Sequence, residues 1–313
     1  MSTDTVVLKD SETGSEAAIS VKYGFNCYQF TAMLNRAKVP VLWSVDNYQN
    51  GEGRASGSGI PILFPYPGRI RDAQFTWQGN NYQLEEADGA GNAIHGFVHT
   101  RAWRVVEQSE NSVTGEFQAS VDAPEILERW PADFIIRVTY QLVGNQLSGR
   151  YQVQNPDSKP LPFGLGTHPY FQVPLGSSGN ADECLISVPY QHEWKFVDKM
   201  ASGEKAPRAT EVDTCEPFSE TNYDNAFGGL VFMDGDCYTS IEDPTSGHVV
   251  TQTFSPEFTA CVLYNPPHRE AFCIEPYTCV PDPYCLEEDG VESGLQVLEP
   301  GASFEATVDI EIV

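Results

Sequence analysis

Apolar residues recur at every second position over long stretches of the chain. Phe134, Ile136, Val138, Tyr140 and Leu142 share one side of an extended segment, and Gly144-Asn145 follows as a turn. Leu147, Tyr151 and Val153 then resume the alternation, with Gln146, Ser148, Arg150 and Gln152 opposite them. A period of two is the spacing of side chains on one face of a strand, so this is a hairpin with one wet face. A second hairpin is expected from Phe75 and Trp77, through a turn at Gln78-Gly79-Asn80-Asn81, to Tyr82 and Leu84. Near the C-terminus Phe304, Val308, Ile310 and Ile312 point inward while Glu305, Asp309 and Glu311 point outward. Helical periodicity is scarce: the segment 124–130 has room for one or two turns before Pro131 stops them. The 26 Gly and 22 Pro break the chain at short intervals, without a repeat, a low-complexity tract or a long linker. The expectation is one all-β domain over residues 1–313, a large antiparallel β-sandwich with very little helix.

Composition narrows the partners. At 41% hydrophobic and 12% aromatic the chain has ample material for a core. Against 44 Asp and Glu stand only 18 Lys and Arg, a net charge of −26 that makes nucleic acid and anionic membranes poor partners. No apolar run approaches the roughly 18 residues that span a bilayer. The first residues lack the basic start and apolar stretch of a secretory signal, so a cytoplasmic location is expected. The eight cysteines contain no C-x-x-C pair, and Cys273, Cys279 and Cys285 recur every six residues, which suits no common zinc site. Reduced, mostly buried thiols and no metal are the expectation.

Four segments break the alternation: 57–72, 91–103, 162–174 and 272–283. Each joins Pro or Gly to a polar residue flanked by aromatics. Rigid turns that carry aromatic platforms and a few convergent polar groups suit a sugar, whose ring offers C–H faces for stacking and hydroxyls for directional hydrogen bonds.

In this order the segments resemble the aldose 1-epimerase (mutarotase) family. The resemblance is carried by Pro67-Gly68-Arg69-Ile70, Ala93-Ile94-His95-Gly96, Trp103, and Trp130-Pro131-Ala132-Asp133 with the strand to Tyr140. Thr167-His168-Pro169-Tyr170-Phe171 matches closely, and Tyr223-Asp224-Asn225-Ala226-Phe227, Ile274-Glu275-Pro276 with Pro281-Asp282, and Leu298-Glu299-Pro300-Gly301 complete the set. It runs from about residue 60 to the end, with a weaker fit before. Two departures bear on the substrate. Gly96-Phe97 stands where the family usually has two glycines, and Gly59-Ile60-Pro61-Ile62-Leu63-Phe64-Pro65 is similar to a branch that includes hexose-6-phosphate epimerases.

The resemblance implies a galactose-mutarotase type of sandwich, no cofactor, and a small-molecule aldose as the partner, in a monomer or homodimer. Exchanging anomers requires ring opening, rotation and reclosure, with a base at the C1 hydroxyl and an acid at the ring oxygen. Glu275 suits the base and His168 the acid, an imidazolium that the acidic surface helps to keep protonated. Arg69, His95 and Asp224 are implied to hold the sugar. Plain structural roles stand beside these: a strand-end cap for His168, an edge carboxylate for Glu275, a core histidine for His95, and a turn residue for Asp224. His99, His192, His248 and His268 read as ordinary polar residues.

Three other functions remain open on the residues alone. For a phosphorylated hexose, Arg69, Arg71, Arg101 and Arg104 would gather at one end of the pocket. A sugar-binding sensor would need no acid–base pair. A glycoside hydrolase would pair Asp224 with Glu275 and leave His168 idle.

Overall fold

Alternation of apolar and polar side chains is satisfied when two sheets face each other, and that is how the chain folds. A computed structural model describes residues 4–176, 179–208 and 215–313. Among these, strands dominate and form two large antiparallel sheets, flanked by a four-stranded N-terminal sheet, Thr5–Lys9 to Ala37–Pro40. The larger sheet runs from Arg104–Gln108 and Ser112–Gln118 through the hairpin Ile135–Val143/Gln146–Gln154 to the C-terminal strand Ser303–Ile312. It continues through His248–Phe254 and Asp236–Asp243 to a short edge. The second sheet orders Met200–Pro207, His192–Val197, Asp224–Gly228, Ala260–Tyr264, Ala271–Tyr277, Gly166–Thr167 and Ile62–Leu63, with Tyr170–Gln172 also pairing with Ala271–Tyr277.

Between the sheets lies the main core. Ile136, Val138, Tyr140, Leu142, Leu147, Tyr151, Val153, Val308, Ile310 and Ile312 enter it from the larger sheet, all of them buried. From the second sheet come Phe227, Cys261, Leu263, Phe272 and Ile274. Each such side chain contributes about 1.5–3 kcal/mol on leaving water. A buried amide ties the two sheets: Gln252 Nε2 donates to the carbonyl of Ile274 at 3.1 Å.

Two details differ from the sequence reading. The second hairpin turns on Gln78-Gly79 alone, and Asn80 and Asn81 already belong to the returning strand Asn80–Gln83. Both turn residues have positive φ, 47° and 78°, which suits the twist of a tight hairpin. Besides the 3-10 turn Pro124–Glu128, a short helix Pro283–Glu288 follows the glutamate segment. Its signal was Pro283 in the first turn, a position where a missing N–H costs nothing. Cys27, Cys184, Cys237, Cys261, Cys273 and Cys279 are buried free thiols, while Cys215 and Cys285 are exposed. No helix of the described residues is long and apolar enough to cross a membrane.

Candidate active site

Every residue of the strand Ala271–Tyr277 is buried. Period two explains this: Phe272 and Ile274 face the main core, whereas Cys273, Glu275 and Tyr277 face the other way. Register brings partners to that second face. Val262 lies opposite Glu275, Tyr264 opposite Cys273, and Asp224 opposite Tyr264. On the other flank, Tyr170 pairs with Cys273 and Gly166 with Tyr277. The result is the floor of a cleft of about 290 Å³, close to the lower end of the ~300–1,000 Å³ typical of ligand pockets.

His168 stands just before the strand Tyr170–Gln172, and its ring stacks on Tyr170 at 4.7 Å and 2°. That stacking fixes the imidazole, placing Nε2 3.3 Å from Glu275 Oε1. The other Glu275 oxygen accepts a hydrogen bond of 2.7 Å from the Tyr277 hydroxyl. Both members of the pair are buried, His168 at 6% and Glu275 at 1% exposure. Burial pushes the His168 imidazolium well below its ordinary range and the Glu275 carboxyl well above its own. The expectation that surface acidity holds His168 protonated is therefore corrected: loss of water around the ring outweighs remote charge. Loss of water thus shifts both groups toward their uncharged forms.

The opposite wall is built from the first histidine motif. His95 has φ 66° and Gly96 φ 71°, two successive left-handed residues. A Cβ at Gly96 would come within 2.1 Å of the Phe64 carbonyl oxygen, so only glycine fits there. Held in this uncommon backbone, His95 lines the cleft. Its Nδ1 accepts from the Gly68 N–H at 3.3 Å, which leaves the proton of the neutral ring on Nε2. Burial, then the neighbouring His168, His99, Arg69 and Arg54, hold it neutral. Arg69 reaches the cleft with its Nε bonded to Asp88 at 3.1 Å. The Asp88 side chain is largely covered, which opposes its charge, yet hydrogen bonds from Asn92, Ala90 and Arg69 hold its carboxyl down to about 2. It is a fixed anion that orients the guanidinium. Asp224 is no turn residue. It opens the strand Asp224–Gly228, half-exposed at the cleft rim, with Lys199 Nζ at 3.2 Å.

All five expected residues, His168, Glu275, Arg69, His95 and Asp224, thus line one cleft. The expected gathering of Arg71, Arg101 and Arg104 does not occur. Arg71 pairs with Asp282 at 3.2 Å, Arg101 with Glu125 at 2.6 Å, and Arg104 with Asp122 at 2.8 Å, none of the three lining the cleft. In so acidic a chain, each finds a carboxylate of its own away from the cleft. Sequence reasoning missed Arg54, Lys199, Phe196, Tyr264 and Tyr277. Stepping two residues along the strand from Glu275 finds Tyr277; nothing in the Gly/Ser-rich loop 51–59 marks Arg54. Among the described residues, His168, Cys273 and Glu275 form a group with metal-ligand chemistry, their donor atoms within 4.8 Å. A cation there would have to displace the Cys273 thiol proton, which burial holds firmly.

The chain resembles known proteins in both sequence and fold. The family model described as Aldose 1-epimerase matches residues 6–311, extending the resemblance through the N-terminal strands. The Escherichia coli K12 protein YphB, itself uncharacterized, is 24% identical over 273 residues, covering 83% of this chain and 86% of its own. The galactose mutarotase of Sus scrofa is 28% identical over 152 residues, 48% of this chain and 43% of that one. In fold, a galactose mutarotase-like protein of Clostridium acetobutylicum superposes with a TM-score of 0.86 at 23% identity, covering 96% of this chain and 93% of its own.

Proposed function

The chain belongs to the aldose 1-epimerase family, and from that premise we propose that it interconverts the α and β anomers of a hexose without a cofactor. The observation that carries this reading is the His168–Glu275 pair, 3.3 Å apart at the cleft floor. Ring opening removes the proton from the C1 hydroxyl, forms the C1 carbonyl, breaks the bond from C1 to the ring oxygen and delivers a proton to that oxygen. Reclosure on the other face of C1 reverses these steps. Glu275 as carboxylate takes the hydroxyl proton and His168 as imidazolium protonates the ring oxygen, so neither an alkoxide nor an oxocarbenium ion stands free. Reclosure returns the protons along the same path, so each completed cycle restores both groups to their starting protonation. His95 Nε2–H and the Arg69 guanidinium supply donors to sugar oxygens, Asp224 accepts from ring hydroxyls, and Tyr170, Tyr264 and Phe196 offer apolar faces.

Polarimetry of freshly dissolved α-hexoses tests the proposal. The chain is expected to speed the approach to anomeric equilibrium for at least one aldose. Binding without acceleration across a panel would mark it as a sensor instead. Release of reducing ends from oligosaccharides would favour a hydrolase.

One observation favours a second reading, a phosphorylated hexose. Arg54 lines the cleft and, among the described residues, has no ion pair in a chain with 44 acidic side chains. An unpaired guanidinium suits a phosphate. Under this reading Arg54→Ala raises KM for a hexose 6-phosphate about tenfold or more and leaves KM for the free hexose unchanged. Equal KM values for both sugars, before and after substitution, would remove it. The charge of −26 repels a dianion at long range, and the free sugar remains the leading reading.

A further inference from the structure

Tyr277 follows the glutamate motif Ile274-Glu275-Pro276 without belonging to it, yet it makes the 2.7 Å hydrogen bond to Glu275 Oε2. Its ring is seated by the backbone opposite. Gly166 pairs with Tyr277 across the sheet, and a Cβ on Gly166 would fall 2.6 Å from the Tyr277 ring and 2.7 Å from Pro67 Cβ. The ring therefore occupies space that any side chain at position 166 would claim. Leu63, Trp194 and Val262 pack in the same buried cluster. The phenol is 1% exposed, and its proton is held by burial and by the adjacent Glu275. Held as a phenol, it donates its O–H to Glu275.

We propose that Tyr277 is a positioning residue that holds Glu275 in the orientation, and stabilises it in the ionised form, that proton abstraction from the C1 hydroxyl requires. The inference rests on Glu275 being the base. Burial opposes a carboxylate at this position, and the groups around it act in different directions. His168 and Cys273 sit beside it, Tyr170 and Tyr264 flank it with raised phenols, Asp224 opposes its charge, and Arg69 favours it. Cys261, on the neighbouring strand, also feels it. Among these, Tyr277 is the hydrogen-bond donor that reaches a carboxylate oxygen at short range, and a bond to a charged acceptor is stronger than one to a neutral acid. It therefore lowers the pH at which Glu275 gives up its proton.

Tyr277→Phe removes the hydroxyl and keeps the ring. A base works above its own pKa, so raising that pKa moves the acidic limb of the kcat/KM profile toward alkaline pH. The expected move is about one pH unit or more, with kcat at neutral pH down roughly tenfold and KM little changed. Infrared titration of the Glu275 carboxyl, its C=O band assigned by its loss in Glu275→Gln, should show the same upward move in the folded variant. This measurement needs no turnover, so it reads Tyr277 even if the wild type exchanges no anomers. An acidic limb and an infrared midpoint both unchanged from wild type would overturn the inference.

Discussion

Glu275→Gln is expected to reduce kcat by about 10³- to 10⁴-fold with KM within a few-fold of wild type. Glutamine preserves the side-chain volume and still offers Tyr277 an oxygen acceptor, so the floor of the cleft keeps its shape. What disappears is the group that accepts the C1 hydroxyl proton. The charge that would favour an imidazolium at His168 disappears with it, because the amide is neutral. Anomer exchange followed by polarimetry or NMR would read the loss directly. Near-normal turnover would remove Glu275 from the chemistry.

His168→Asn is expected to cost less, roughly 10²- to 10³-fold in kcat. Asparagine can still place an N–H donor near the ring oxygen, and water in the cleft can deliver a proton slowly. It cannot hold the transferable proton that imidazole shares with Glu275. Since the two groups act as a unit, the double variant should fall no more than about tenfold below Glu275→Gln alone. Losses that multiply in full would mean the two side chains act in separate steps.

Much of this was legible in the sequence for one reason: strands write their burial into alternation. The hairpin at 135–154 and the C-terminal strand could be read residue by residue, and they form as expected. The five site residues were reached through motifs, since alternation carries no chemical label. Arg54 was not legible because its role depends on where a glycine-rich loop settles against a distant cleft. The protonation of His168 was not legible either. It depends on how completely the assembled cleft buries the ring, which no local pattern announces. The misplaced arginine cluster shows the same limit. Arg71 and Asp282 are 211 residues apart, and no local pattern announces that they meet.

The two-sided strand Ala271–Tyr277 has a consequence for how such a protein can diversify. Phe272 and Ile274 hold the sandwich together while Glu275 and Tyr277 line the cleft, so a one-residue insertion or deletion would turn Glu275 into the core and Phe272 or Ile274 toward the cleft. The strand's length is locked. The loop carrying Arg54 and the hairpin tip carrying Lys199 have no such double duty, and can lengthen, shorten or change charge without moving the acid–base pair. The rim of the cleft can therefore vary in shape and charge while the strand beneath it stays fixed in length.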